Sequence, residues 1–115
     1  MLFASVAMHA DTFTWTDWKT ATLSNSSVAG SAAGTLTIGL QTVNVTYSGD
    51  LTTATEVNCG GCINYYTPAS VYTNATVSNL PTTADILALS EDPAYTDTIT
   101  FSTAILNPVF DIVNS

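Results

Sequence analysis

The chain has 115 residues, with nine carboxylates against one lysine, no arginine and a formal net charge of −8. Nucleic-acid affinity comes from counterion release at Lys and Arg contacts, so a single lysine makes nucleic acid and anionic membrane surfaces poor partners. The length suits one domain that buries roughly two thirds of its unfolded surface, and threonine, about a fifth of the residues, joins β-branched and aromatic types in favouring pleated strands.

Residues 1–10, MLFASVAMHA, carry an apolar run from Leu2 to Met8, then Ala10 before the acidic Asp11. This reads as a secretory signal peptide truncated at its start, with a buried first strand as the alternative. Residues 11–115 are then a single domain. No stretch reaches the roughly 18 to 20 apolar residues needed to span a bilayer.

Residues 12–18, TFTWTDW, alternate Phe13 and Trp15 with threonines and predict the first strand of the mature domain. Trp18 breaks the alternation. Trp15 and Trp18 read either as core aromatics or as platforms on which a sugar ring stacks. Residues 23–33, LSNSSVAGSAA, predict a loop with a short strand about Val28. The clearest signal follows in residues 34–49, GTLTIGLQTVNVTYSG, a β-hairpin. Leu36, Ile38 and Leu40 share one parity, Val43, Val45 and Tyr47 the other, and strict period-two alternation requires a turn where the parity changes, between residues 39 and 42.

Cys59-Gly-Gly-Cys62 is the one conspicuous local motif. Three readings stand: a disulfide pinning a loop tip in an oxidising compartment, an unpaired or metal-binding dithiol, and a redox pair. A disulfide closing so short a loop stabilises by only about 2 kcal/mol. Tyr65, Tyr66 and Tyr72 flank Pro68 in what reads as an irregular segment or edge strand, where they either pack or contact glycans. Residues 76–80 predict a short strand stopped by Pro81, and residues 84–90, ADILALS, an interior strand. In the acidic turn after it, Glu91, Asp92 and Asp97 are calcium candidates, the plain alternative being a solvated turn. Residues 98–102 predict a strand, and residues 109–113 a last one after the turn at Asn107-Pro108.

The chemistry-bearing types are sparse. The only histidine, His9, falls in the leader, so the mature domain has no imidazole for a Ser or Cys nucleophile or for metal ligation. Neither a dinucleotide loop nor a P-loop occurs. A glycosidase-type carboxylate pair remains open among Asp50, Glu56, Asp85, Glu91, Asp92 and Asp97, but its separation is not encoded locally. Sequons at Asn25, Asn44 and Asn74 matter only in a eukaryotic secretory pathway.

Three short motifs in order, VTYSG at residues 45–49, ITFS at residues 99–102 and NPVFDIVNS at residues 107–115, resemble the ectodomains of bacterial exosortase-sorted proteins of the PEP-CTERM type. The resemblance implies a secreted β-sandwich that precedes a C-terminal sorting tail, at the cell surface or in the exopolysaccharide matrix, and usually without enzymatic activity. The expected fold is therefore an all-β antiparallel sandwich of jelly-roll kind, truncated at its C-terminal side. The expected function is that of a non-enzymatic surface or matrix protein with polysaccharide as its partner. A carbohydrate-binding module using Trp15, Trp18, Tyr65, Tyr66 or Tyr72 is the alternative, and a fragment of a secreted hydrolase the third reading.

Overall fold

The computed structural model describes residues 13–58, 62, 69–81, 85–90 and 92–110. Its centre is a four-stranded antiparallel sheet in which neighbours in sequence are neighbours in space: β1 (Asp17–Thr22), β2 (Gly30–Ile38), β3 (Gln41–Gly49) and β4 (Thr98–Phe101). The only helical turn among the described residues is a 3-10 turn at Ala69–Val71. The all-β expectation holds. A second sheet is not among the described elements, so the sandwich is not established.

The hairpin forms where the alternation placed it. β2 and β3 pair from Gly30↔Gly49 to Ile38↔Gln41, leaving Gly39 and Leu40 as a two-residue turn. Gly39 has φ 62°, the left-handed value that the first position of a type II′ turn requires and that glycine adopts without steric cost. The faces are sharply divided: Val43, Val45, Tyr47 and Gly49 are buried and the residues between them exposed. Ile38 and Leu40 depart from the expected apolar face, Leu40 being fully exposed at 107% because it sits at the turn tip beyond the sheet's cover.

Register explains the core. Trp18, Gly34, Val45 and Phe101 lie in one row across all four strands, and Ala21, Ala32, Tyr47 and Ile99 in the next. The first row puts an indole beside a position with no side chain. Trp18 packs against both buried clusters, Ala32 with Tyr47 and Leu51, and Leu36 with Val43 and Val45. The cover of this face comes from irregular segments. Leu51 is buried, Leu87 packs on the first cluster and Ile105 on the second. Residues 51–56 are tied to residues 86–88 by backbone hydrogen bonds between Glu56 and Ile86 in both directions, at 3.0 and 2.8 Å, and from Thr52 N–H to Ala88 O at 2.9 Å.

Several expected strands are corrected. β1 begins at Asp17, not at residue 12, because Phe13 and Trp15 are bound by Asn79 instead of by the sheet: Phe13 N–H donates to Asn79 Oδ1 at 2.6 Å, Asn79 Nδ2 to Phe13 O at 2.7 Å, and Trp15 Nε1 to Asn79 O at 3.1 Å. The end of the expected 23–33 loop belongs to β2, where Ser31, Ala32 and Ala33 pair on both sides. The turn before it closes instead at Asn25 and Val28, with Asn25 Oδ1 accepting from Ser27 and Val28 N–H. Residues 76–80 do not form a strand, since the Asn74 side chain accepts from Thr76 and Val77 N–H and curls the chain into a turn. Among the described residues of the 84–90 run only Ile86 makes a bridge, and Leu89 is exposed. Val109 and Phe110 are exposed and outside any strand, while the rest of the expected last strand, like residues 1–12, lies outside the described residues.

Candidate functional site

The polar side chains converge at the end of the sheet opposite the hairpin tip. β3 ends at Gly49, Asp50 follows, and Asp97 immediately precedes β4. β3–β4 pairing therefore brings two carboxylates, 47 positions apart in sequence, to the same corner. Asp97 Oδ1 accepts from the Tyr47 hydroxyl at 2.5 Å and from Asp50 N–H at 3.0 Å. The Asp50 carbonyl is also 3.1 Å from the Tyr47 oxygen, but a phenol has one proton, and the carboxylate is the stronger acceptor.

Asp50 is only 5% exposed and is the one buried charged residue among those described. Burial of a carboxylate is tolerable when its oxygens are filled with donors, and these are. Oδ1 accepts from the Ser24 hydroxyl at 3.1 Å, and Oδ2 from Ser90 N–H at 3.1 Å, from Asp92 N–H at 3.3 Å and, in a short contact, from the Ser90 hydroxyl. The Ser90 hydroxyl is the main cause that holds the Asp50 carboxyl below its ordinary value. Burial opposes it, and the Asp92 N–H, Ser24 hydroxyl and Ser90 N–H add to the lowering. Tyr47 is pushed the other way, well above the usual phenol value, first by burial and then by its hydrogen bond to Asp97 and the charge of that carboxylate.

Gly49 is required here. A Cβ at this position would run into Asp97 Oδ1 and come within 2.6 Å of the Tyr47 hydroxyl. Beside Asp50 opens a shallow hollow of about 360 Å³, lined in part by Ser24, Asn25, Asp50, Thr52, Ser90 and Tyr95. The Tyr95 hydroxyl closes one side by donating to the Asn25 carbonyl.

The expected site residues fall as follows. Tyr72 is 7% exposed and offers no face to a sugar, which corrects its assignment as a stacking platform. Trp18 is half-buried with its ring on the core clusters, and Trp15 is half-buried with its indole N–H occupied by Asn79; neither stands as an open platform. Tyr65 and Tyr66 lie outside the described residues. So does Cys59, the expected partner of the half-buried Cys62. Of the calcium candidates, Glu91 lies outside the described residues, and Asp92 and Asp97 do reach the same corner. Asp92 Oδ1 accepts from Ala94 N–H at 2.9 Å and Asp97 Oδ1 holds Tyr47 and Asp50. Among the described residues no three ligating side chains come together as a metal site. Asp85, a member of the open carboxylate set, accepts from Trp18 N–H at 3.0 Å and from Asn58 N–H at 2.9 Å. Ser24, Ser90, Asn79 and Tyr95 carried no signal in the sequence, because their partners are 26 to 70 positions away.

No protein-family model matches the chain, and neither a curated protein nor a solved structure matches it. The functional reading therefore stands on these residues. Asp50, Asp85 and Asp97 hold backbone and hydroxyl donors across long sequence separations. Each of these carboxylates therefore joins segments that are far apart in the chain.

Proposed function

We propose that this chain is a non-enzymatic extracellular protein of a bacterial cell surface or exopolysaccharide matrix. The observation that carries the reading is the use of its carboxylates: the buried Asp50 and the neighbouring Asp97 accept six hydrogen bonds from five residues, Ser24, Tyr47, Asp50, Ser90 and Asp92, so acidic groups act as structural connectors. The outward residues of the sheet support it. Thr20, Thr22, Ser31, Thr37, Thr42, Thr46, Ser48, Thr98 and Thr100 are all exposed, a face rich in uncharged hydroxyls. The jelly-roll sandwich belongs to the same proposal, with the paired segments 51–56 and 86–88 as the start of a second layer over the core. So does a Cys59–Cys62 disulfide, which an oxidising exterior would maintain. The order of the three sequence motifs relates the chain to exosortase-sorted ectodomains.

Fractionation of cells that carry the protein, followed with an antibody to this domain, tests the reading. The expected result is recovery in the envelope or matrix fraction with both cysteines resistant to alkylation until reduced. Recovery in the cytosol with two free thiols would overturn it. The alternative of sugar binding rests on Tyr65 and Tyr66 of the predicted aromatics, and on the hollow at Asp50, where Tyr95 supplies an aromatic ring beside polar groups.

A further inference from the structure

The two outer edges of the sheet are built differently. β1 is protected in three ways. Its pairing with β2 is interrupted by a bulge between Trp18 and Thr20, the extra residue Lys19 forms an ion pair with Asp17 at 2.5 Å, and the Trp18 N–H is capped by the Asp85 carboxylate at 3.0 Å. Bulges and charges are the devices by which natural sheets prevent edge-to-edge pairing. β4 has none of them. Its residues, Thr98, Ile99, Thr100 and Phe101, include no charge, proline or bulge, and among the described residues no strand lies beyond it.

The direction of the free backbone groups follows from the ladder. Ser102 N–H donates to Asn44 O at 2.9 Å, and hydrogen-bonded pairs alternate along an antiparallel ladder. Thr100 and Thr98 therefore bond to β3, while the N–H and C=O of Ile99 and Phe101 point away from the sheet. These groups are self-complementary. If a second β4 runs antiparallel about a two-fold axis through Thr100, Ile99 of each copy exchanges both bonds with Phe101 of the other, and all the outward groups are paired.

We propose that β4 is an association edge and that its occupant is a second copy of this chain, the two β4 strands joining two sheets into one of eight strands. The choice of occupant comes from charge. The chain carries −8 overall, and this uncharged strand is a place where two copies can meet without like charges opposite one another. Ile99, 38% exposed, would be covered by the partner strand. The protected β1 edge leaves each copy one open edge, so the assembly closes as a dimer and does not grow into a fibre. This inference does not depend on an extracellular location.

Sedimentation equilibrium of the whole chain over a range of protein and salt concentrations tests it. The expected species are monomer and dimer only, and the dimer should tighten as salt screens the repulsion between two acidic copies. Ile99→Pro removes an outward donor that β3 does not use, and Thr100→Lys places two lysines opposite each other at the two-fold axis. Each should weaken the dimer at least ~10-fold while far-ultraviolet circular dichroism stays that of the parent. Thr20→Lys makes the same charge change on β1 and should leave the dimer unaffected. A monomer at every concentration and salt, species larger than a dimer, or equal weakening by Thr20→Lys would each overturn the proposal.

Discussion

Asp50 and Tyr47 sit at one corner with opposite proton affinities, and each predicts a limit of stability. The Tyr47 value is higher folded than unfolded, so its contribution is complete below the unfolded value of about 10 and is lost as pH rises toward the folded value. Thermal midpoints should therefore decline above about pH 10, and a phenolate absorbance titration should find Tyr47 ionising only with unfolding. Tyr47→Phe should flatten that decline and cost roughly 1.5–3 kcal/mol at neutral pH, the usual worth of a hydrogen bond to a charged group, as read from urea denaturation. The Asp50 value is lower folded than unfolded, so its contribution is present above the ordinary 3.8 and is lost as pH falls through the folded value. Asp50→Asn should be less stable than the parent at neutral pH and show a shallower acid decline, checked by thermal melts between neutral and strongly acidic pH. Lys19 makes no comparable demand: its ion pair with Asp17 is exposed, and neutralising it should change stability by less than about 1 kcal/mol.

Among the elements, the hairpin was legible over residues 34–49 because its information is local, while residues 30–33 of β2 read as loop for want of apolar alternation. Period-two alternation gave both strands, and the parity change located Gly39. Gly39→Ala would place a Cβ at φ 62° and should destabilise by about 1 kcal/mol or more, measurable in the same urea titration. β1 was misplaced for a physical reason: residues 12–18 alternate as a strand should, but the partner of Phe13 and Trp15 is the distant Asn79, and the real strand is obscured by the bulge at Lys19. The run at 84–90 was misread in the opposite sense, since hydrophobicity alone does not say whether a segment joins a sheet or covers it. Of the two readings of Trp18, core aromatic or sugar platform, its packing on both clusters favours the first, and its register with Gly34 was not legible. Trp18→Ala would uncover both core clusters and should cost roughly 2–4 kcal/mol, toward the lower part of the range for large aromatics because the ring is half-buried. The carboxylate corner was illegible, as its hydrogen bonds depend on β3–β4 register and on loops that meet only after folding.

At the scale of the whole molecule, one face of the sheet is a hydroxyl surface and the other is buried under irregular chain. Loops of this kind lack a ladder of their own and need fixed attachment points. The carboxylates provide them: Asp85 holds the start of β1 to residue 58, Asp50 gathers residues 24, 90 and 92, and Asp97 ties residue 50 to β4. The low charge content is thereby put to structural use. If these connectors hold the cover to the sheet, removing one should weaken the entire domain. Asp97→Ala leaves the Tyr47 hydroxyl and the Asp50 N–H without their carboxylate, with no replacement acceptor of equal strength. In equilibrium urea unfolding followed by tryptophan fluorescence, a single transition lowered by roughly 2–4 kcal/mol is expected, the cost of one unsatisfied Asp50 N–H and of a Tyr47 hydroxyl that exchanges a charged acceptor for the Asp50 carbonyl. A stability within about 0.5 kcal/mol of the parent, the range of an ordinary surface substitution, would contradict it.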